Sequence, residues 1–212
     1  VYLQEIEGRV ETKEPLLAAA IVDAVLYVGT EKGILRLEKD TLVPAGGPDI
    51  PVKRLKTLNS VLYAFSEMGL WRFDGDTWQQ IGDGAFVDGC VHAKDIVVAS
   101  PSQIYRVEND QLVALMDRSS RKAILGIASY AETLYIRYET RVGFLKNRKV
   151  EISNVSEWGA LPEGAVTRDI MDFGRQLFVP TDKGLAVLRG VSWVTITGKE
   201  GLCYEDTTCV AR

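Results

Sequence analysis

The chain has 212 residues, 46% of them hydrophobic, with a formal net charge of −4 and a sequence pI near 5.2. It is long enough to bury a sizeable core, and its acidic balance argues against a nucleic-acid or anionic-membrane surface, because neutralising phosphates needs clustered Lys and Arg and the nearest basic run, Lys53-Arg54-Leu55-Lys56, is short. The longest apolar stretch, residues 16–28, has 13 residues and is broken by Asp23, against about 20 for a bilayer span.

The start, Val1-Tyr2-Leu3-Gln4-Glu5, does not read as a signal peptide, and a processed or excised chain would read the same way. Three cysteines, Cys90, Cys203 and Cys209, are too few for a disulfide framework and are expected as free thiols.

The dominant feature is an internal repeat. Leu26, Leu62, Ile96, Leu134 and Leu177 each open a short run of β-forming residues, at spacings of 36, 34, 38 and 43 residues. Eight residues after each anchor stand Ile34, Leu70, Ile104, Val142 and Leu185; eleven after, Leu37, Phe73, Val107, Leu145 and Leu188; sixteen after, Leu42, Trp78, Leu112, Val150 and Trp193. Seven after stand Gly33, Gly69, Gln103, Arg141 and Gly184, of which the glycines suit the positive φ of a tight turn. A strand is expected upstream of each anchor, at residues 18–22, 52–58, 87–93, 124–129 and 166–171.

Each repeat therefore predicts four antiparallel strands, and the turn signals recur every 8 to 12 residues with no sustained helical period. A repeated four-stranded unit of this length is the pattern of a β-propeller blade. The expected blades lie near residues 15–50, 51–86, 87–121, 122–164 and 165–200. Residues 201–208 repeat the lead-in of residues 160–167, with Leu202 matching Leu161 and Thr208 matching Thr167, so a sixth blade is expected to begin over residues 201–212, its first strand at 207–211. The leading segment 1–11 offers one outer strand through Ile6 and Val10. The expectation is a ring of six or seven blades, completed by the rest of a longer chain or by another polypeptide.

The fifth repeat, Leu161-Pro162, Val166-Thr167-Arg168-Asp169-Ile170, Leu177-Phe178-Val179, Thr181 and Gly184-Leu185, resembles the repeat of the two-component regulator propeller family. Leu26-Tyr27-Val28-Gly29-Thr30 with Gly33-Ile34, and Gly69-Leu70-Trp71, carry the same likeness in the first two units. Pro180, Gln103, Arg141 and Cys203 depart from the pattern. The resemblance implies an extracytoplasmic sensing module of a larger bacterial protein, one that often binds saccharides. Its motif holds packing and turn residues and no catalytic ones.

Candidate chemistry is sparse. The single histidine, His92, shares a strand face with Cys90, but two ligands make a poor zinc site. Glu67 and Asp95 stand in turns where acidic residues are expected anyway. Trp78 and Trp193 occupy one repeated slot and read as packing residues, whereas Trp158 lies outside the repeat frame on a connecting loop, where an aromatic ring suits ligand stacking. No catalytic residue, metal site or cofactor is assigned. Ligands of propellers gather where first strands and their loops converge, which makes Lys53, Arg54, His92, Lys94, Tyr130, Trp158, Arg168 and Asp169 the candidate ligand residues. Their partner is expected to be a small polar molecule or oligosaccharide, or a protein. A propeller-based carbohydrate-active enzyme, a polysaccharide lyase or glycosidase, and a protein-interaction scaffold stay open as alternatives.

Overall fold

The computed structural model describes residues 10, 12–117, 120–153, 164–173, 175–190 and 192–209. The protein is an all-β propeller fold: the described residues hold twenty strands in five four-stranded sheets and one 3-10 turn, Gly198–Glu200. The chain divides into two compact units, Val1–Phe86 and Val87–Arg212.

In the first unit, β1 (Leu16–Val22), β2 (Val25–Thr30), β3 (Gly33–Glu38) and β4 (Thr41–Pro44) form the first blade, and β5 (Arg54–Leu58), β6 (Val61–Phe65), β7 (Gly69–Phe73) and β8 (Trp78–Asp83) the second. Both are antiparallel meanders with neighbours in chain order. One core joins them: Val22, Tyr27 and Ile34 from the first blade meet Val52, Leu55, Leu62, Ala64 and Phe73 from the second. Trp78 packs against this core with its ring 5.0 Å from that of Phe73, as its repeated slot predicts.

The second unit holds three blades. β9 (Asp88–His92), β10 (Asp95–Ala99), β11 (Ile104–Glu108) and β12 (Gln111–Ala114) make the third. β13 (Gly126–Tyr130), β14 (Thr133–Tyr138), β15 (Arg141–Lys146) and β16 (Lys149–Ser153) make the fourth, and β17 (Met171–Phe173), β18 (Gln176–Thr181), β19 (Gly184–Arg189) and β20 (Ser192–Ile196) the fifth. Adjacent residues of a strand point to opposite faces, and the fourth blade uses both. Ile127, Leu134 and Ile136 enter a core with Cys90, Val97 and Ile104 of the third blade, while Ala128 and Val142 enter another with Ile170, Leu177, Val179 and Leu188 of the fifth. Trp193 packs on that second core.

The passage from one blade to the next repeats a backbone bond. The N–H of Val52 donates to Thr30 O, and that of Phe86 to Ser66 O, in the first unit; Ile124 donates to Pro101 O, Thr167 to Glu139 O and Thr207 to Thr181 O in the second. Thr207 thus meets the fifth blade as the earlier lead-ins meet theirs. The expected strand at 207–211 is not formed over residues 207–209, and its remainder lies outside the described residues, as do segment 1–11 apart from Val10 and the loop bearing Trp158.

Two local expectations are corrected. The first strand of the fifth blade is Met171–Phe173, not residues 166–171. Thr167 instead forms a lone bridge to Thr181, and its Oγ1 donates to Tyr138 O at 2.6 Å, so the backbone ahead of Met171 is shared between its own second strand and the neighbouring hairpin. The tightest hairpins are also elsewhere than the glycines suggest. Asp23-Ala24, Asn59-Ser60, Ala93-Lys94 and Ala131-Glu132 link first to second strands with both residues at positive φ, between 47° and 76°. This is the two-residue turn whose twist matches paired strands, adopted here by side-chain-bearing residues at a cost of roughly 1–2 kcal/mol each.

Two consequences can be measured by denaturant unfolding. A Cβ at Gly29 would lie 2.3 Å from Val52 O, on the lead-in of the second blade, whereas one at Gly198 meets nothing nearer than 3.7 Å. Gly29→Ala is therefore expected to cost ~2 kcal/mol or more and Gly198→Ala under about 0.5 kcal/mol. Glu132→Gly, at φ 60° on an exposed turn, is expected to raise stability by up to ~1 kcal/mol by relieving left-handed strain.

Candidate functional site

The repeat closes its second hairpin in one way. The hydroxyl of Thr30, Ser66, Ser100 and Thr181, four residues after the anchor, donates to the carbonyl three residues on, at Gly33, Gly69, Gln103 and Gly184, over 2.7 to 3.2 Å. The same oxygen accepts the N–H of Lys32, Met68, Ser102 or Lys183. Little room remains where glycine stands: a Cβ would be 2.7 Å from Pro48 O at Gly33 and 2.7 Å from Ile196 O at Gly184.

Blade four breaks this closure. Tyr138 and Arg141 occupy the two slots, and a phenol cannot make the short Ser or Thr turn. At this hairpin a cavity of ≈ 480 Å³ opens, lined by Lys122, Ala123 and Leu125 from the lead-in and by Tyr138, Glu139, Thr140 and Arg141. That volume lies within the range of small-molecule sites, about 300–1,000 Å³. Tyr138 is buried, and its hydroxyl is 3.5 Å from Ser120 Oγ. Burial pushes the phenol above its ordinary value, with the Ser120 contact acting weakly the other way.

Beside the cavity the backbone is fixed by buried polar groups. Arg137 donates from Nη2 to Leu125 O at 2.6 Å and from Nη1 to Thr167 O at 3.1 Å. Asp88, fully buried, accepts from its own neighbour Gly89 N through Oδ1 and from Ile127 N of the next blade through Oδ2 at 3.1 Å. Gly126 is the meeting point, since a Cβ there would lie 3.1 Å from Arg137 Nε and 3.2 Å from Asp88 Oδ2.

The candidates read from the sequence do not gather in one place. Lys53 and Arg54 belong to the first unit, where the Lys53 ammonium stands 2.7 Å from Glu67 on open surface. Their hydrogen bond and opposite charge lower the Glu67 carboxyl and raise the Lys53 amine. In the second unit, His92, Lys94 and Tyr130 sit at the far end of the inner strands. His92 Nδ1 is 2.9 Å from Ser129 Oγ, Lys94 is in the positive-φ turn, and the Tyr130 hydroxyl accepts from Gly190 N at 2.8 Å. Arg168 and Asp169 lie toward the opposite end of the inner strands, offset by roughly 13 Å along the strand direction for four residues of rise. Arg168 pairs with Asp206 at 3.3 Å, and buried Asp169 accepts from Ile170 N. Trp158 lies outside the described residues.

Cys90 faces the core rather than a metal, and Cys203 and Cys209 are exposed free thiols. Asp95 is 3.4 Å from Arg106. Among the described residues there is no group of three or more His, Cys, Asp or Glu placed to hold a metal ion. Lys122, Tyr138, Glu139 and Arg141, which line the cavity, are not among the candidates read from the sequence, where Arg141 in a glycine slot was the visible departure.

No protein-family model matches the chain, and no curated protein matches it in sequence. Among solved structures, the chain is similar to the extracellular domain of one hybrid two-component system from B. thetaiotaomicron at TM-score 0.70 and 15% identity, over 92% of this chain and 30% of that one. A second such domain from the same organism gives 0.67 and 15%, over 90% and 29%. YCF48 bound to a D1 peptide gives 0.62 and 11%, over 95% and 72%. The chain thus spans less than a third of the length of the two extracellular domains. At these identities the likeness is one of fold.

Because the Tyr138 phenol is raised in the folded state, its contribution to stability is fully present below the ordinary tyrosine value of 10.0 and is lost as pH rises through the folded value. Tyr138→Phe is expected to flatten the alkaline loss of stability, read as the unfolding midpoint in denaturant from pH 9 to pH 11. A slope equal to that of the wild type would show the phenol is already solvated.

Proposed function

We propose that this chain is a non-catalytic recognition module, an extracytoplasmic part of a larger sensor-type protein, and that the cavity of blade four receives a small polar ligand such as an oligosaccharide. The observation that carries the reading is the departure of Tyr138 and Arg141 from a hairpin closure kept in the other four blades, at the place where the cavity opens. Tyr138 also packs in the core shared by the third and fourth blades, so the misfit outside that core is Arg141, and local rules broken in that way tend to mark functional sites. The shared fold with extracellular domains of two-component systems supports the same reading.

The lining favours binding over hydrolysis. Glu139 is its single carboxylate, whereas glycoside hydrolysis ordinarily uses a pair flanking the bond. His92, the one candidate imidazole, is engaged with Ser129 at the far end of the inner strand.

A glycan array followed by calorimetry on the hits tests this. Arg141→Gly, which returns the repeat's own residue to its slot, is expected to weaken the leading hit at least about tenfold while leaving the thermal midpoint near the wild type. Chromatography of the incubated ligand should recover it intact. Cleavage products, or a hit indifferent to Arg141→Gly, would sink the proposal.

A further inference from the structure

The geometry points to a ligand that carries a carboxylate beside hydroxyl groups, bound by Lys122 and Arg141 in the blade-four cavity; this rests on the recognition reading above. The lining holds two cations, Lys122 and Arg141, against one carboxylate, Glu139, in a chain whose net charge is −4. Among the described residues neither cation is in an ion pair, although other basic residues of the same unit are: Arg106 with Glu108 and Asp95, Lys146 with Glu151, Arg148 with Asp117, Arg168 with Asp206. Both side chains are therefore open to an anionic ligand at this opening.

The two cations come from different segments of the lining. Lys122 is on the lead-in, where its backbone N–H and carbonyl are both tied to Ser120 Oγ, and Arg141 opens β15 in register with Tyr138. A guanidinium offers a planar fork to a carboxylate and an ammonium adds a second positive charge. Glu139, the Thr140 hydroxyl and the Tyr138 phenol supply what a polyol needs: an acceptor, a group that can do either, and a phenol kept neutral by burial. Ala123 and Leu125 give the apolar contact on which a sugar ring or carbon chain rests. Such chemistry belongs to a uronate saccharide or to a small open-chain hydroxy acid.

Calorimetry with the intact chain separates these sources, using trigalacturonate, its carboxyl-reduced neutral counterpart, and gluconate. Trigalacturonate is expected to bind at least about tenfold more tightly than the reduced sugar, and Arg141→Gln and Lys122→Gln are each expected to erase about tenfold of that affinity. The same substitutions should leave the reduced sugar unchanged, and raised salt should weaken the acid alone. Binding of gluconate in place of trigalacturonate, with the same dependence on both cations, supports the inference and assigns the site to small hydroxy acids. Equal binding of the reduced sugar, or acid binding untouched by both glutamine substitutions, overturns the charge inference. If Arg141→Gly still abolishes neutral binding in that case, the recognition reading stands without it. Silence from every probe and from the glycan array overturns both.

Discussion

Sheet packed on sheet through two apolar faces is the constraint on which everything else in this protein depends. A strand shows one face at odd positions and the other at even ones, so a blade with neighbours on both sides must be apolar in both registers. The fourth blade satisfies this residue by residue, with Ile127 and Ala128, adjacent in β13, buried in different cores. Fully burying each such side chain contributes about 1.5–3 kcal/mol, and the repeat supplies several per interface. Where two described blades meet, the repeated apolar slots supply the contact, as Leu62, Ile34 and Phe73 do in the first unit and Leu134, Leu177 and Leu188 in the second.

Blades packed this way leave their lead-in segments with backbone groups to satisfy, and buried polar side chains take up that work. Thr167 and Arg137 together tie the approach to the fifth blade onto the fourth, and Asp88 ties the third to Ile127 of the fourth. A buried charge is costly unless hydrogen-bonded; these ones make bonds at the crossing points, where no regular ladder can serve. Their role is architectural, and through Leu125 O Arg137 also anchors one residue of the cavity lining.

The cavity itself comes from a local exception. Four hairpins are closed by a hydroxyl and a small or amide residue, and one carries a phenol and a guanidinium instead. Of the two, Arg141 changes only the turn, while the Tyr138 ring also packs in the core shared by the third and fourth blades; loops on a rigid scaffold tolerate such changes more readily than packing faces do.

The sequence by itself determined the class, the five anchors and the packing role of Trp78 and Trp193, because those follow from period-two burial repeated at nearly constant offsets. It also exposed Arg141 as a misfit. It could not disclose that Ala93-Lys94 and Ala131-Glu132 turn at positive φ, since nothing in those side chains prefers it and only the twist of the paired strands imposes it. Nor could it place Thr167 ahead of its strand rather than in it, because the competing partner, Tyr138 O, comes from another blade. The candidate ligand residues were chosen by nearness to first strands, yet a strand has two ends, and His92 and Asp169 stand at opposite ones. Which end opens a cavity, and which of its cations are left without an acid, depends on residues some twenty positions apart in the chain meeting across a hairpin, and only the tertiary structure decides that.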